Sequence, residues 1–564
     1  MSDVKTNGGE LGDTASQAML GPNPFIGFRG EDVLAAAGAI AKEAATHPTL
    51  VLEQQAELVR EIAAVFAGQS TLKPAPGDKR FADPAWTENP FYRASVSGYV
   101  AWTNALGGFI DKSSFDDRTK EQARFVTQLV TDALAPSNTF ANPVAVKRAI
   151  DTGGTSVARG LRNMVNDVLE NQGMPSMVDK SAFEVGKNLA TSEGSVVFRN
   201  DVLELIQYRP QTELAYETPL LVIPPQINKY YVFDLSPDKS IVGFLSGGGI
   251  NCFAISWRNP KPAQRDWGMD TYVSALIEAV GAVKAISGAE KINVAGACAG
   301  AMTLAALLGY YAAGPEPSPL NSATLLVAVL DGEAESSAMF LFATPETIAS
   351  AKAASQAHGV LEGSEMGRVF AWLRPNDLVW NYWVNNYLVG NSPPPFDILY
   401  WNADTTRLPA RFHGELLDTF AQNKFKKPGA MTVLGRPIEL TQVALDSYFV
   451  AGITDHITPW KGVYSTMRLF DGNKTFVLSA AGHIQSLINP PAAAAKREFF
   501  LNPNYGESAG DWLKDAKANK GSWWGHWLEW LHEHSGAEVA HTALPGSAKY
   551  PPLEKAPGSY VLEK

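Results

Sequence analysis

Apolar residues recur at three- and four-residue spacing through the first third of the chain, in EDVLAAAGAIAKEAA, EQQAELVREIAAVFAG, DRTKEQARFVTQLVTDALA and VARGLRNMVNDVLENQG, with Pro, Gly and Asn between them. That period is helical, and it predicts a mainly helical N-terminal domain over residues 1–190. From GSVVFRNDVLELIQY onward the texture changes. Short β-rich runs (TPLLVIPP, NCFAISW, KINVAGA, SATLLVAVLD) alternate with helical segments, which predicts a mostly parallel sheet covered by helices. The run 271–287 reads as a crossover helix, with Val273, Leu276, Ile277, Val280 and Val283 on one stripe and Asp270 as N-cap. Over about 332–435 the alternation stops at an aromatic-rich section, FAWLRPNDLVWNYWVNNYL and PPPFDILYWNADTTRLP, and then resumes with LDSYFVAGITDHITPW and KTFVLSAAGHIQSLINPP. An insertion late in a parallel sheet is where such folds carry lids. The second domain, 191–564, is therefore expected to be a catalytic sheet domain with a cap. Near the end, GSWWGHWLEWLHEH puts Trp523, Trp527 and Trp530 close to one helical face, as for packing on the body of the protein.

Composition narrows the classes of function. The chain has 564 residues, 45% hydrophobic and 19% charged, enough to bury a large core. Its 47 basic and 58 acidic residues give a net charge of −11 without a Lys/Arg-rich block, which argues against nucleic acid as a partner. The first residues lack a basic and apolar signal sequence, and no run approaches a transmembrane length, so a cytoplasmic protein is expected. Two cysteines in so long a chain exclude a disulfide scaffold and a cysteine-built metal site.

One of those cysteines lies in VAGACAGAMT, between an apolar strand-like run and an Ala/Leu-rich helical one. In Gly296-x-Cys298-x-Gly300 the glycines flank the central residue at −2 and +2, the spacing of the nucleophile elbow of α/β-hydrolases. Such a turn pushes the Cys298 side chain above the sheet and offers the N–H of Ala299, at the helix start, to an oxyanion. The base and acid should follow from the ends of later strands. Of nine histidines, only His456 and His483 follow strand-like runs. His483, closing TFVLSAAGH, is the expected base and His456 its rival. Asp455, closing YFVAGITD, is the expected acid, and Asp331, closing LLVAVLD, the alternative. A thiol is readily ionised by an imidazole and forms a thioester acyl-enzyme, so a cysteine elbow suits acyl transfer from a thioester to a hydroxyl, provided water is kept out. This chemistry calls for no cofactor and no metal. SGGGIN at 246–251 precedes a strand and reads as a turn, and Cys252 beside it as a buried small apolar residue.

The elbow GACAGA, with INKYYVFDLSPDKS, ISWRNP, RPNDLVWNYWVNNYL, FDILYWNADTTRLP, DHITPW and GHIQSLINPP, resembles the polyhydroxyalkanoate synthases from about residue 22 onward. Details such as VFAWLRPNDLVWNYWVNNYL and NADTTRLPARFHGELL are most similar to the class II, medium-chain-length type of pseudomonads. The resemblance implies an α/β-hydrolase fold in which Cys298 carries the growing chain and His483 and Asp455 complete a triad. It also implies an oxyanion hole made by the N–H groups of Ala299 and Ile227. By the same resemblance the substrate is a (R)-3-hydroxyacyl-CoA, the product a polyester, the active form a homodimer and the location the surface of polyester granules. Relatives usually carry a further glycine where Ala301 stands. Two other readings stay open on the residues alone: a cysteine-elbow hydrolase, and a non-catalytic granule coat for which the Trp-rich tail would be the evidence.

Overall fold

Short runs rich in Val, Ile and Leu, too apolar to leave either face in water, form the centre of one sheet in the computed structural model, which describes residues 25–26, 30–333, 337–492, 497–541 and 544–564. The segment read above as lacking a signal sequence falls largely outside them. The strands are β1 Gly194–Arg199, β2 Leu203–Tyr208, β3 Leu220–Ile223, β4 Cys252–Trp257, β5 Ile292–Ala297, β6 Leu320–Leu326, β7 Asp446–Gly452, β8 Lys474–Ser479, β9 Glu498–Leu501, β10 Lys517–Lys520 and β11 Glu554–Lys555. Their order across the sheet is β10-β9-β8-β7-β6-β5-β3-β4-β2-β1-β11.

The centre is parallel: β4, β3, β5, β6, β7 and β8 all run the same way. Antiparallel strands close both flanks. β3, β4 and β5 are buried along their whole length. The reversal of order at β4-β3-β5 has a functional consequence, because in open parallel sheets ligands are held at the carboxyl ends of the strands. Loops that leave β3, β5, β7 and β8 therefore emerge along one edge.

Two helices show how sequence pattern becomes placement. Ala299–Ala312 is apolar on every side and is buried from Ala299 to Gly309, as a helix at the centre of a layer must be. Met269–Ser287 turns Val273, Leu276, Val280 and Val283 inward as the stripe predicts, while Ile277 is half-buried. Its N-cap is Gly268 and not Asp270, whose carboxylate sits in the first turn and accepts the N–H of Leu434 at 2.9 Å. The tryptophans near the end pack into the core. Trp523 and Trp527 are at most 1% exposed and Trp530 9%, with the indole N–H of Trp527 on Thr324 and that of Trp523 on the Ser486 carbonyl. Gly248 closes the helix Ile241–Gly247, and Gly249, with φ +81°, turns the chain toward β4.

The chain divides into two compact units. One comprises Met1–Asp179, Leu341–Thr344 and Arg368–Phe396; the other comprises Lys180–Phe340, Pro345–Gly367 and Asp397–Lys564. The aromatic insertion is thus shared out between them. In the first unit Asn89 caps the helix Pro90–Lys112 through the N–H groups of Phe91 and Tyr92, with Pro90 at the position where a missing N–H costs nothing. Arg80 gathers Asp78, Asp132 and Asn376. The run NDLVWNYWVNNYL forms two π-helical stretches, Asn376–Trp380 and Trp383–Leu388, tied to the helix Thr155–Glu170 by the Tyr387 hydroxyl on Asp167 at 2.8 Å.

Candidate active site

Cys298 stands between the end of β5 and the first residue of the helix Ala299–Ala312, with φ +49° and ψ −123°. An L-residue adopts this conformation only under constraint. The constraint is visible on both sides. A Cβ on Gly296 would sit 2.8 Å from the Ala301 Cα, and one on Gly300 would strike the carbonyl oxygens of Ile223 and Pro224. Strand and helix approach so closely here that only hydrogen fits at −2 and +2, which is the physical content of the glycine spacing. The Cys298 N–H donates to the Leu326 carbonyl at 3.0 Å and so anchors the turn to β6. Cys298 is half-buried, whereas Cys252, in β4, is fully buried, and burial followed by the nearby Asp234 raises the Cys252 pKa well above the ordinary thiol range.

His483 opens the short helix His483–Leu487 after β8, and Asp455 lies in the loop after β7. Because β7 and β8 are paired in parallel, both loops leave the same edge. His483 Nδ1 and Asp455 Oδ2 are 2.7 Å apart. The carboxylate is itself held: the N–H groups of Ile457 and Thr458 donate to Oδ1, each at 2.9 Å, and the Thr458 hydroxyl to Oδ2 at 2.7 Å. The Thr458 hydroxyl lies 3.1 Å from the same Nδ1, so Asp455 and Thr458 together occupy that nitrogen, and Cys298 is near enough to the ring to act on its pKa. Burial disfavours the imidazolium, but Asp455 overrides it and, with the thiol, lifts the His483 pKa to about 10. Burial likewise opposes the Asp455 carboxylate, and the imidazolium outweighs that, holding its pKa below the usual value.

The rival acid is spent elsewhere. Asp331 is met by Ser465 at 2.6 Å, Asn423 at 2.9 Å and Lys426 at 3.2 Å, a set of bonds that ties loop to helix and leads away from the imidazole. His456 adjoins Asp455 in the chain, but the acid's carboxylate turns to His483.

Ile227 lies in the loop that leaves β3, the neighbour of β5, so this loop and the elbow emerge side by side. The loop is pinned at many points. Trp257 donates to the Pro224 carbonyl at 2.8 Å, Thr406 to the carbonyls of Gln226 and Ile227 at 2.6 and 3.2 Å, and Gln226 reaches Thr303 of the elbow helix at 3.0 Å. Ala299 begins its helix, where the first N–H groups have no intrahelical acceptor. The arrangement brings together a thiol in a strained turn, an imidazole paired with a carboxylate that is itself held by three further donors, and a well-pinned loop beside the elbow. Thr458, the Gln226–Thr303 link and Trp257 escape the strand-and-turn reading; the signal for Thr458 is its place three residues after Asp455 in DHIT. Among the described residues no group of three or more His, Cys, Asp or Glu side chains is disposed to hold a metal ion.

Comparison with known proteins gives two family matches: the poly-beta-hydroxybutyrate polymerase (PhaC) N-terminus over residues 77–245, and the alpha/beta hydrolase fold over 219–490. Poly(3-hydroxyalkanoate) polymerase 1 of Ectopseudomonas oleovorans is 49% identical over 99% of each chain. Poly(3-hydroxyalkanoate) polymerase 2 of the same organism is 48% identical over 96% of each. The poly(3-hydroxyalkanoate) polymerase subunit PhaC of Cupriavidus necator is 40% identical over 86% of this chain and 83% of its own.

Proposed function

The chain belongs to the poly(3-hydroxyalkanoate) polymerase family, and on that premise we propose that it is an acyltransferase joining (R)-3-hydroxyacyl groups from CoA thioesters into a polyester with release of CoA. His483, oriented by Asp455, takes the proton of Cys298. The thiolate adds to the thioester carbonyl, and the oxyanion is met by the N–H groups of Ala299 and Ile227. Collapse of the tetrahedral adduct expels the CoA thiolate, which is protonated from the imidazolium, and leaves a thioester on Cys298. The 3-hydroxyl of another acyl unit, giving its proton to the freed base, then adds to that thioester, and collapse of the adduct breaks the C–S bond, forms the ester and returns the Cys298 thiolate beside the imidazolium. One thioester has been exchanged for another at little cost, and the ester-forming step is downhill.

The observation that supports this reading is the His483–Asp455 pair, 2.7 Å apart on loops from neighbouring strands, with Cys298 of the elbow near enough to act on the imidazole. A hydroxyl in place of the thiol would be far harder for the same imidazole to activate. The proposal extends to the setting: a cytoplasmic homodimer that, because its apolar product stays attached, works at the surface of polyester granules. No helix among the described residues is long and apolar enough to cross a membrane.

The test is to incubate the purified protein with (R)-3-hydroxyoctanoyl-CoA and follow both free thiol and insoluble product. The reading predicts both from the wild type, neither from Cys298→Ala, and a loss of several orders of magnitude from His483→Gln. Cys252→Ala should keep most of the activity and Asp331→Asn should be mild. Thiol release without polymer would identify a hydrolase, and neither signal a non-catalytic coat.

A further inference from the structure

Lys229 is two residues beyond Ile227 in the loop after β3, and it is only 3% exposed. A buried ammonium has to be matched by acceptors. Its Nζ donates to the backbone carbonyl of Glu563 at 2.6 Å, and Asn259 approaches the same oxygen at 3.5 Å. Burial pulls the Lys229 pKa down to about 8, with Asp404 and Glu563 pulling upward against it and Lys564 and Arg407 adding to the fall. The loop thus rests on a segment more than three hundred residues away in sequence.

That segment is not loosely placed. Glu204, fully buried in β2, accepts the N–H groups of Ser559 and Tyr560 at 3.1 and 3.0 Å, and the Ser559 hydroxyl at 2.9 Å. The Tyr560 hydroxyl donates to the Asn200 carbonyl at 2.8 Å, and the Arg258 guanidinium lies 4.3 Å above its ring. Arg258 also reaches the Glu563 carboxylate at 3.2 Å. β11 fixes the preceding residues to β1. On its other side the Lys229 carbonyl accepts the indole N–H of Trp401 at 2.7 Å.

We propose that Lys229 and the segment Ser559–Glu563 form a latch that sets the position of the Ile227 N–H, so that Lys229 is a positioning residue for acyl transfer. The proposal rests on the reading of Cys298 as nucleophile and of Ile227 as oxyanion donor. Its logic is mechanical. The loop already packs against Gly300 so closely that a methyl group would not fit, and a small displacement of an oxyanion donor is enough to lose most of its effect. At the far end of the loop, beyond the reach of Thr406 and Trp257, Trp401 holds the Lys229 carbonyl and the latch holds its side chain.

Two variants test it. Lys229→Met removes the donor with little change of volume, and a chain lacking residues 563–564 removes the acceptor while leaving the Glu204 and Tyr560 contacts in place. Each is assayed for CoA release from (R)-3-hydroxyoctanoyl-CoA and, separately, for alkylation of Cys298 by iodoacetamide, a reaction that develops no oxyanion. The latch predicts a fall in kcat of about tenfold to a hundredfold in both variants, with KM within about twofold and the alkylation rate unchanged. Unchanged kcat in the shortened chain overturns it, and so does an equal fall in alkylation, which would make the contact one of general scaffolding. Whether alkylation of wild-type Cys298 abolishes CoA release reports on the underlying nucleophile assignment, independently of the ratio of the two rates in the variants.

Discussion

His483 and Asp455 are bound to each other more tightly than either is to solvent, and that coupling has a pH signature. The His483 pKa is raised from its ordinary 6.5 to about 10, so its contribution to stability is complete below 6.5 and is lost as the pH rises through about 10. The Asp455 pKa is depressed below its ordinary 3.8, so its contribution is complete above 3.8 and is lost as the pH falls through the lower folded value. The stability difference between wild type and Asp455→Asn should therefore be widest between about pH 4 and 6.5 and should narrow toward pH 10. Melting both proteins across that range checks it. A difference that grew from pH 6.5 to 10 would mean that the imidazole is not held in its protonated form by this carboxylate. The two residues could be named from sequence because each ends an apolar run followed by a short turn. Thr458 could not be singled out in the same way, since a threonine three residues on has no signature until the loop is closed around Asp455.

At the scale of elements, the elbow is a contact between a strand and a helix that touch almost backbone to backbone. Gly300 faces the carbonyl oxygens of Ile223 and Pro224. Those oxygens belong to β3 and the loop that carries Ile227, and they cannot swing aside as a side chain could. Gly300→Ala should destabilise the fold by about 1–3 kcal/mol as overpacking, and should lower CoA release by more than that loss of stability alone explains, because the loop is displaced. A melting temperature and activity equal to wild type would show that the elbow has slack. The glycine spacing was readable in one dimension because the approach is local. The N-cap of Met269–Ser287 is not legible in this way: an aspartate is the better cap by propensity, yet Asp270 lies inside the first turn and accepts the N–H of Leu434, more than a hundred and sixty residues away. The π-helical stretches of the aromatic insertion leave no distinct period for a pattern of three and four to detect.

For the molecule as a whole, alternation of strand and helix was enough to indicate a parallel sheet, since buried parallel strands must be apolar throughout. Chain order could not show that Leu341–Thr344 and Arg368–Phe396 belong with the first unit, because that depends on which surfaces meet after folding. Substrate length is a property at this scale. Each buried methylene is worth about 0.8 kcal/mol, so the four that separate a hydroxyoctanoyl from a hydroxybutyryl group amount to about 3 kcal/mol, or roughly a hundredfold, if the protein encloses them. We propose, from the likeness to the medium-chain-length type, that it does enclose them, which predicts kcat/KM about a hundredfold higher for (R)-3-hydroxyoctanoyl-CoA than for (R)-3-hydroxybutyryl-CoA. Parity, or a preference for the shorter substrate, would remove that specificity and leave acyl transfer itself intact.

The central claim is that Cys298 becomes covalently acylated, and it is open to direct observation. The protein is mixed with a stoichiometric amount of (R)-3-hydroxyoctanoyl-CoA, quenched in acid to preserve thioesters, digested and examined by mass spectrometry. The account predicts the mass of one or more 3-hydroxyoctanoyl units on the peptide that contains Cys298, labile to hydroxylamine and absent from Cys298→Ala. CoA release with Cys298 unmodified at every quench time, or the acyl mass on Cys252, would contradict it.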